Sequence, residues 1–509
     1  MLRPVLSDVS IVPIKSLPVG RIELGHTLVY IAGVYGPSSF RRTQPCVSPY
    51  TPLVTDARST RFVSIALFLL MALAAVGPVR NYDSFWHLAT GRWIVEHRAL
   101  PLHDPFAVAS DRTEWVNGEW LYELGAFALH AIGGLAGLSV VRGLLAAAIF
   151  TLIYVRSGDL LLTAVAFAGA MQTFDLRPSS AAMLFVVLAI ACRSWLAHLL
   201  LTVLWINIHP SAILAPGIAA LSTRRVAPVA AALVGLLVNP FGWRAIVAPL
   251  ELAAFAGGGG FVNAEWLPSS VTQFPLLYLC VLGAAVLFVR RHDDWWRVVL
   301  FAAFAWLAIR HVRNQGLFYA AFPLLVAPSM PRLRASIAYV AAAVAIVLIA
   351  ITGDHRLGVA PERFPVAAVA RLRATRLRGN VYNPDQFGGL LIWSFYPERR
   401  ALTDGRNELY RAFIPEYAAA RGDQRAWRAL LRRYRIDLAV DEYREPLTVV
   451  DAMTRRQRSV PASLAYWPRN EWALIGYDEA GMVFARRAAF PREVVARWEL
   501  DERQLKIEH

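Results

Sequence analysis

Apolar segments dominate this chain from Arg61 to Ile351, and they constrain its fold more than any other feature of the sequence. The first of them, Arg61–Val79, is close to the roughly 20 apolar residues that a helix needs to cross a hydrocarbon core of about 30 Å. The 509 residues are 56% hydrophobic, and the mean hydropathy is +0.42. A soluble chain of this length would form several domains at lower hydropathy. The sequence therefore predicts a polytopic α-helical membrane protein.

We predict roughly 11 to 13 transmembrane helices from the length that a bilayer-spanning helix requires. Several apolar segments are short, and Pro210, Pro216, Pro240 and Pro249 indicate broken, tilted or re-entrant helices. A bilayer tolerates such helices only where they line a cavity or are buried in protein. The transmembrane domain is predicted to span residues 61–352, with a large first extracytoplasmic loop at residues 80–119.

Two segments of different character flank this domain. Residues 1–60 contain Pro, Ser and Arg, and their first strongly apolar run begins only near Phe62, so we expect a disordered cytoplasmic extension and no cleavable signal peptide. Residues 353–509 are charged and Arg-rich, which favours a soluble α/β domain of ordinary size. Its predicted elements are strands at Gly379–Tyr382, Leu390–Trp393, Ile436–Val440, Trp472–Tyr477 and Gly481–Phe484, and an amphipathic helix at Arg425–Tyr434.

The first loop combines acidic and aromatic side chains. Among them are Asp83, Trp86, His87, Asp104, Trp115, Glu119 and Trp120. Residues Ser84–Glu96 are predicted to form a helix on which Asp83 and His87, four residues apart, share a face. Carboxylates can act as a base or a metal ligand, and Trp faces stack on sugar rings, so the loop suits sugar chemistry. An interfacial aromatic belt with a solvated loop is the alternative.

Basic residues near the ends of apolar segments form a second group of candidates. Arg177 follows Asp175, and Arg310 and Arg313 lie between two apolar runs. Guanidinium groups match phosphate oxygens, so Arg310 and Arg313 are the best candidates for a phosphate clamp. Helix capping or snorkelling is the alternative for each of them, and for any single one it is the more frequent explanation.

The overall charge and the cysteines restrict the functional class. The net charge of +15 suits anionic lipid head groups or diphosphates, and the basic residues are scattered rather than clustered, so we expect no nucleic-acid partner. The three cysteines lack paired spacing, which argues against a disulfide framework or a thiolate metal site.

The stretches DSFWHLATGRWIVEH, LPLHDPF and WVNGEWLYE, with GGLLIW and YPERRALTDGRNELY further on, resemble bacterial multi-pass membrane proteins of the glycosyltransferase GT-C type. Lipid A aminoarabinose transferases, protein mannosyltransferases and oligosaccharyltransferases are remote relatives of that group. The resemblance extends from about Arg61 to Arg487. The chain lacks the paired Asp-Glu of the mannosyltransferase loop and a WWDYG-like sequence, so the acceptor class and any metal requirement stay open.

The resemblance implies an enzyme of the bacterial inner membrane that transfers a sugar from a polyprenyl-phosphate-linked donor. The acceptor, a glycan, lipid or protein, would meet the donor at the extracytoplasmic face, where the C-terminal domain is also expected. By position, Asp83 matches the acidic residue after the first helix of the family, and Asp104 or Glu119 matches a second acidic group.

Asp83 is the expected base for the acceptor hydroxyl. Trp86 and Trp120 would border the sugar, while Arg310 and Arg313 would stabilise the departing phosphate. His87 would position Asp83 or help to hold a divalent metal, the one cofactor that the sequence leaves open. The remaining candidates for substrate binding are Arg177, Asp404 and Arg406.

Simple turns at Gly388–Gly389 and Asp404–Gly405 are the alternative for the stretch that contains Asp404 and Arg406. Two other functions also stay open for the whole chain. A transporter or flippase for lipid-linked sugars would also use broken helices and membrane-depth charges. A non-catalytic envelope-assembly protein would use the C-terminal domain for docking and would not need Asp83.

Overall fold

The computed structural model describes residues 23–24, 27–28, 57–259, 263–291, 294–331, 335–443, 446–450, 455, 457–461 and 466–501. The predicted disorder of residues 1–60 therefore lies largely outside the described residues. Within that segment the structure describes two short antiparallel strands, β1 (Glu23–Leu24) and β2 (Thr27–Leu28). The rest of the description concerns the unit that begins at Pro52.

Helices make up the apolar region and pack around a core that includes Phe150, Phe167, Trp205 and Phe318. They are α1 (Ala57–Ala75), α2 (Ser84–His97), α3 (Trp120–Ser157), α4 (Leu160–Ala170), α5 (Pro178–Ala191), α6 (Trp195–Ile206), α7 (Ala215–Thr223), α8 (Val226–Leu237), α9 (Arg244–Gly257), α10 (Pro275–Arg291), α11 (Trp295–Arg310), α12 (Gln315–Val326) and α13 (Ala335–Thr352).

The lengths of these helices bear on the predicted number of spans. In the described part of the chain, α3 alone is both long and apolar enough to cross a membrane, and several other apolar helices have 10–17 residues. Inside α3, Gly134 has φ 60° and ψ −161°, so the helix is interrupted at this residue. The predicted helix at Ser84–Glu96 is confirmed as α2. The count of 11 to 13 spans stays a prediction.

The chain after α13 forms a mixed sheet with helices around it. The elements are α14 (Val366–Thr375), β3 (Asn380–Tyr382), α15 (Asp385–Phe395), α16 (Phe413–Arg421), α17 (Gln424–Arg433), β4 (Ile436–Glu442), β5 (Pro446–Val450), β6 (Gln457–Pro461), β7 (Trp472–Tyr477), β8 (Gly481–Arg486) and α18 (Arg492–Trp498). The main sheet has the order β3-β4-β8-β7, with β3 parallel to β4 and the other pairs antiparallel. The predicted strands at Trp472–Tyr477 and Gly481–Phe484 are confirmed as β7 and β8, which pair as a hairpin.

The predicted strand at Leu390–Trp393 is wrong, because these residues lie inside the helix α15. A short apolar run does not by its period distinguish a buried strand from a buried helix. The two glycines before it are not a turn but part of the same helix. A Cβ at Gly388 would come within 2.0 Å of the Thr403 carbonyl oxygen, and one at Gly389 within 2.8 Å of the Tyr82 carbonyl oxygen. Glycine here allows α15 to approach two neighbouring segments closely.

The first loop belongs structurally to the C-terminal layer. The backbone N–H of Val108 donates to Ala401 O at 2.9 Å, and that of Ala109 donates to Leu402 O at 3.1 Å. Aromatic residues of the loop share one hydrophobic core with residues of α15 and of the main sheet. Backbone hydrogen bonds and a shared hydrophobic core thus hold the first loop against the C-terminal domain. Both therefore contribute walls to a space that the helices of the apolar region close on the other side.

Candidate functional site

A cavity of about 400 Å³ lies where the first loop, the helix ends and the C-terminal domain meet. Its lining combines carboxylates, guanidinium groups, imidazoles and indoles from segments that are far apart in sequence. The lining includes Asp83, Trp86, His87, Glu119, Arg177, His209, Glu265, Trp266, Arg313, Arg363, Asp385, Gly405, Arg406 and Glu408.

Asp83 stands immediately before α2, with its carboxylate in the cavity wall. Its backbone N–H donates to Asn81 Oδ1 at 2.8 Å, and the Trp86 indole N–H donates to its Oδ1 at 3.0 Å. Burial raises the pKa of Asp83, while Arg177 and the Trp86 hydrogen bond act in the opposite direction. A carboxylate with a raised pKa that still has a cation nearby is suited to accept a proton from a substrate.

Glu119 lies at the start of α3, between two imidazoles. Its Oε2 is 3.9 Å from His87 Nε2, and its Oε1 is 3.9 Å from His209 Nε2. Burial raises the pKa of Glu119 to about 8, with Glu408 adding to the effect. Burial also lowers the pKa of His87 well below its usual value. At neutral pH, Glu119 is therefore a neutral hydrogen-bond donor beside a neutral histidine.

Arg177 and Glu265 form a two-point ion pair in the cavity wall. Arg177 Nη2 donates to Glu265 Oε2 at 2.8 Å, and Nη1 donates to Oε1. Although burial alone would raise the pKa of Glu265, Arg177 holds it at about 2. The pair connects the start of α5 to the connection between α9 and α10, so it joins two parts of the helical region at the cavity.

Arg313 is one of two cavity arginines that form no ion pair in the described part of the chain. Its guanidinium carbon lies 4.5 Å from the centroid of the Trp266 ring. No carboxylate among the described residues lies within ion-pair distance of it, and the same holds for Arg363, which stacks on Tyr82 at 4.6 Å. Two guanidinium groups that face the cavity without a carboxylate partner can accept an anionic ligand.

A second cavity of about 360 Å³ adjoins the first. The two share Arg177, Glu265, Arg313 and Arg363 in their linings. The second cavity adds Arg80 and Arg142, together with apolar side chains of α4, α5 and α12. Its walls are thus richer in guanidinium groups than those of the first cavity, which carries most of the carboxylates.

The described structure thus brings seven of the predicted site residues together in the first cavity. These are Asp83, Trp86, His87, Glu119, Arg177, Arg313 and Arg406. Four others lie outside the lining, namely Asp104, Trp120, Arg310 and Asp404. Trp120 donates instead to Asn207 Oδ1 at 2.8 Å, and Arg310 is exposed at the end of α11.

Asp104 and Asp404 lie behind the wall as the partners of Arg406. Arg406 Nη1 is 3.0 Å from Asp104 Oδ1, and its Nε donates to Asp404 Oδ1 at 2.8 Å. All three side chains are fully buried. Asp104 also accepts from the backbone N–H groups of Phe106 and Ala107, so its observed contacts are structural.

Sequence reasoning did not select several cavity residues, among them His209, Glu265, Asp385 and Glu408. Two weak signals existed: His209 precedes Pro210 at a helix end, and Glu265 follows a glycine run. Neither signal shows that the residue faces Asp83, because that depends on how distant helices pack.

The donor side chains of the cavity bear on the divalent metal that the sequence leaves open. The described residues contain no group of three or more His, Cys, Asp or Glu side chains arranged to hold a metal ion. The nearest arrangement is Glu119 between His87 and His209, where the separations of 3.9 Å are those of neighbouring side chains. A divalent metal here stays a prediction.

No family model matches this sequence, and no curated protein matches it. Solved structures do match it in fold, among them structures of an archaeal oligosaccharyltransferase, an enzyme of the GT-C type. The Archaeoglobus fulgidus oligosaccharyltransferase in its apo form aligns with a TM-score of 0.53 at 9% identity, covering 76% of this chain and 70% of that one. The same enzyme tethered to an acceptor peptide containing the NVT sequon aligns with a TM-score of 0.51 at 10% identity, covering 75% and 69%. The predicted GT-C-like fold is thereby confirmed at the level of architecture.

Proposed function

We propose that this protein is a membrane glycosyltransferase that moves a sugar from a polyprenyl-phosphate-linked donor to an acceptor. The observation that carries the proposal is that Asp83 and Arg313 line one cavity. One supplies a base, and the other supplies a cation for phosphate that forms no ion pair among the described residues. Sugar transfer from a phosphate-linked donor needs both groups at the same reacting centre.

The arrangement suits an in-line displacement at the anomeric carbon. Asp83 accepts the proton of an acceptor hydroxyl while the acceptor oxygen bonds to the anomeric carbon, and the bond from that carbon to the phosphate oxygen breaks. The phosphate leaves with the bonding electrons, and Arg177 and Arg313 stabilise its charge. The configuration inverts, because the nucleophile and the leaving group occupy opposite sides of the carbon.

Protonated Glu119 and the indole of Trp86 complete the sugar environment in this proposal. A neutral Glu119 donates a hydrogen bond to a sugar or acceptor hydroxyl without repelling the Asp83 carboxylate. The Trp86 ring, which lines the cavity, provides an apolar face for the sugar.

The donor phosphate is proposed to bind at the wall that the two cavities share, since Arg177, Arg313 and Arg363 all lie there. The second cavity adds further guanidinium groups and apolar side chains, which fits the charged end of a polyprenyl phosphate and the first part of its lipid. The acceptor then approaches from the side of Asp83. We propose a glycan, lipid or protein acceptor, and the acceptor peptide held by the related oligosaccharyltransferase makes a protein worth testing first.

Outward apolar side chains support placing the helices in a bilayer. Along α1, Phe62, Ile65, Leu69 and Leu73 are each more than 60% exposed and recur every three or four residues. An apolar stripe of this kind on a soluble protein would be an interaction or aggregation surface, whereas lipid solvates it without cost. We propose the inner membrane of a bacterium, with the C-terminal domain on the external side.

The test uses the full chain in proteoliposomes with short-chain polyprenyl-phosphate hexoses as donors and a hydroxyl-containing peptide as the acceptor, and release of the polyprenyl phosphate is the readout. We expect Asp83→Asn to abolish release, while Asp111→Asn, an exposed carboxylate of the same loop, retains it. Full release by Asp83→Asn would contradict the proposed role. Movement of the intact donor across the bilayer by that variant would favour the transporter.

A further inference from the structure

We infer that the turn Asp404–Arg406 of the C-terminal domain positions Asp83 by holding the indole of Trp86. The inference rests on the proposed function, in which Asp83 is the base, and it extends it by making Arg406 a positioning residue. The contacts that connect the turn to Asp83 form a short chain of three steps.

The first step is the anchoring of Arg406. Arg406 donates hydrogen bonds to Asp404 from Nε at 2.8 Å and from Nη2 at 2.5 Å. Asp104 of the first loop lies 3.0 Å from Arg406 Nη1. Tyr410 donates its hydroxyl to Asp404 Oδ2 at 2.6 Å. The planar guanidinium is therefore fixed on both sides by carboxylates, one from each of the two segments that meet at the cavity. A lysine has the charge but not this planar fork of donors.

The second step is the contact of that guanidinium with three aromatic rings of the first loop. Its carbon lies 4.5 Å from the Trp115 centroid, 5.4 Å from that of Phe106 and 5.6 Å from that of Trp86. The Trp86 and Trp115 rings also pack edge to face, with centroids 6.4 Å apart. Because Arg406 is anchored, these rings are restricted in turn.

The third step is the hydrogen bond from the Trp86 indole to Asp83 Oδ1. It orients the carboxylate whose other oxygen faces the substrate in the proposed reaction. Gly405 supports the same geometry from the other side, since a Cβ on it would come within 2.4 Å of Asp83 Oδ1. Only a residue without a side chain leaves the carboxylate where the indole holds it.

Arg406 thus influences Asp83 without contacting it. A purely structural role would predict that changes at Arg406 lower stability and leave the titration of Asp83 as it is. A positioning role predicts that they reproduce the effect of removing the Trp86 donor.

The experiment is an infrared pH titration of the detergent-solubilised full chain, in which subtraction of the Asp83→Asn spectrum isolates the Asp83 carboxyl band. Trp86→Phe removes a hydrogen bond that stabilises the ionised form, so the titration of Asp83 should move to higher pH. Arg406→Lys should move it in the same direction, and the double variant should move it no further than Trp86→Phe does. The inference would be overturned if Asp83 titrated in Arg406→Lys as it does in the wild type. It would also be overturned if the shift in the double variant equalled the sum of the two single shifts.

Arg400→Lys is the matched control. Arg400 also joins the C-terminal domain to the first loop, through Ala107 O at 2.6 Å and Asp111 at 3.0 Å, but it touches neither Trp86 nor Asp83. In Arg400→Lys, Asp83 should titrate as it does in the wild type. If Arg406→Lys does not fold, Gly405→Ala tests the same geometry with a smaller change, and an unchanged Asp83 titration in that variant would count against the inference.

The two proposals fail separately. Normal donor cleavage by Asp83→Asn would remove the proposed base, while the infrared titration would still decide how Asp83 is held. Loss of cleavage in Asp83→Asn together with unshifted titrations in Arg406→Lys and Gly405→Ala would remove the positioning role alone. In the folded Arg406→Lys protein, turnover should fall roughly 10- to 100-fold, as for misplacement of a reacting group, with the donor KM little changed.

Discussion

Arg177 and Glu265 lie 88 residues apart in sequence and form a two-point ion pair in the wall that both cavities share. Glu265 thereby binds the Arg177 guanidinium, a cation that the proposed reaction needs for the leaving phosphate. Glu265 therefore competes with the donor for Arg177, and it also contributes negative potential at Asp83. Both effects can be measured.

Glu265→Gln should move the acidic limb of the pH–rate profile to lower pH. Glu265 raises the pKa of Asp83, so its removal lowers that pKa, and the base then stays ionised at a lower pH. The measurement is kcat/KM for the donor between pH 4 and 8. Glu251→Gln, which removes a carboxylate from an exposed pair with Arg411, is the control and should leave the limb in place. A shift to higher pH would contradict the assignment.

Glu119→Gln should retain activity at pH 7, and its rate should not show the decline at alkaline pH that we expect of the wild type. Glu119 is protonated below its pKa of about 8. The wild-type rate should therefore fall as the pH rises through 8, because Glu119 loses the proton with which it donates a hydrogen bond. Glutamine keeps an N–H donor at every pH, and its profile should stay flat across this range. Glu119→Ala, which has no donor, should be slow throughout. An unchanged alkaline limb in Glu119→Gln would show that another group titrates there.

Arg313→Ala should weaken donor binding, whereas Arg310→Ala should not. The two arginines are three residues apart, but Arg313 faces both cavities and Arg310 is exposed. A charge-assisted hydrogen bond contributes about 1.5–3 kcal/mol, so we expect the donor KM to rise about 10- to 100-fold in Arg313→Ala. Equal effects of the two substitutions would show that general positive charge, and not a directed contact, attracts the donor.

Arg406→Ala should destabilise the protein much more than Arg400→Ala. The first substitution leaves the buried carboxylates of Asp104 and Asp404 without their cation, at a cost of about 3–5 kcal/mol. The second removes an exposed pair with Asp111, which contributes at most about 1 kcal/mol. Thermal unfolding in detergent, followed by tryptophan fluorescence, measures both. Similar unfolding temperatures would mean that Arg406 is not the buried anchor described above.

The sequence predicted the layout of helical region, first loop and C-terminal α/β layer because these depend on local hydropathy and turn residues. It also placed Asp83, Trp86 and His87 correctly on one short helix and its start, since their spacing is local. The assignment of Leu390–Trp393 failed because its environment is set by contacts with Tyr82 and Thr403, which no local pattern reveals.

The choice between neighbouring candidates also required the structure. Arg310 and Arg313 look equivalent in the sequence, but α11 ends at Arg310, and only the following turn directs Arg313 toward the cavity. Asp104 resembled a second acid of the site, yet its nearest cation is a residue of the C-terminal domain, Arg406. Pairings over such distances in the chain depend on tertiary packing and leave no periodic signal.

The backbone pairing of Ala109 with Leu402 has a consequence for how the protein is made. The two paired segments are synthesised almost 300 residues apart, as the Arg400 contact with Ala107, 293 residues away, also shows. The first loop emerges early, but the segment that completes its core emerges only after the last apolar helix. Since Gly405, Arg406 and Glu408 also line the cavity around Asp83, the site stays incomplete until translation has passed these residues.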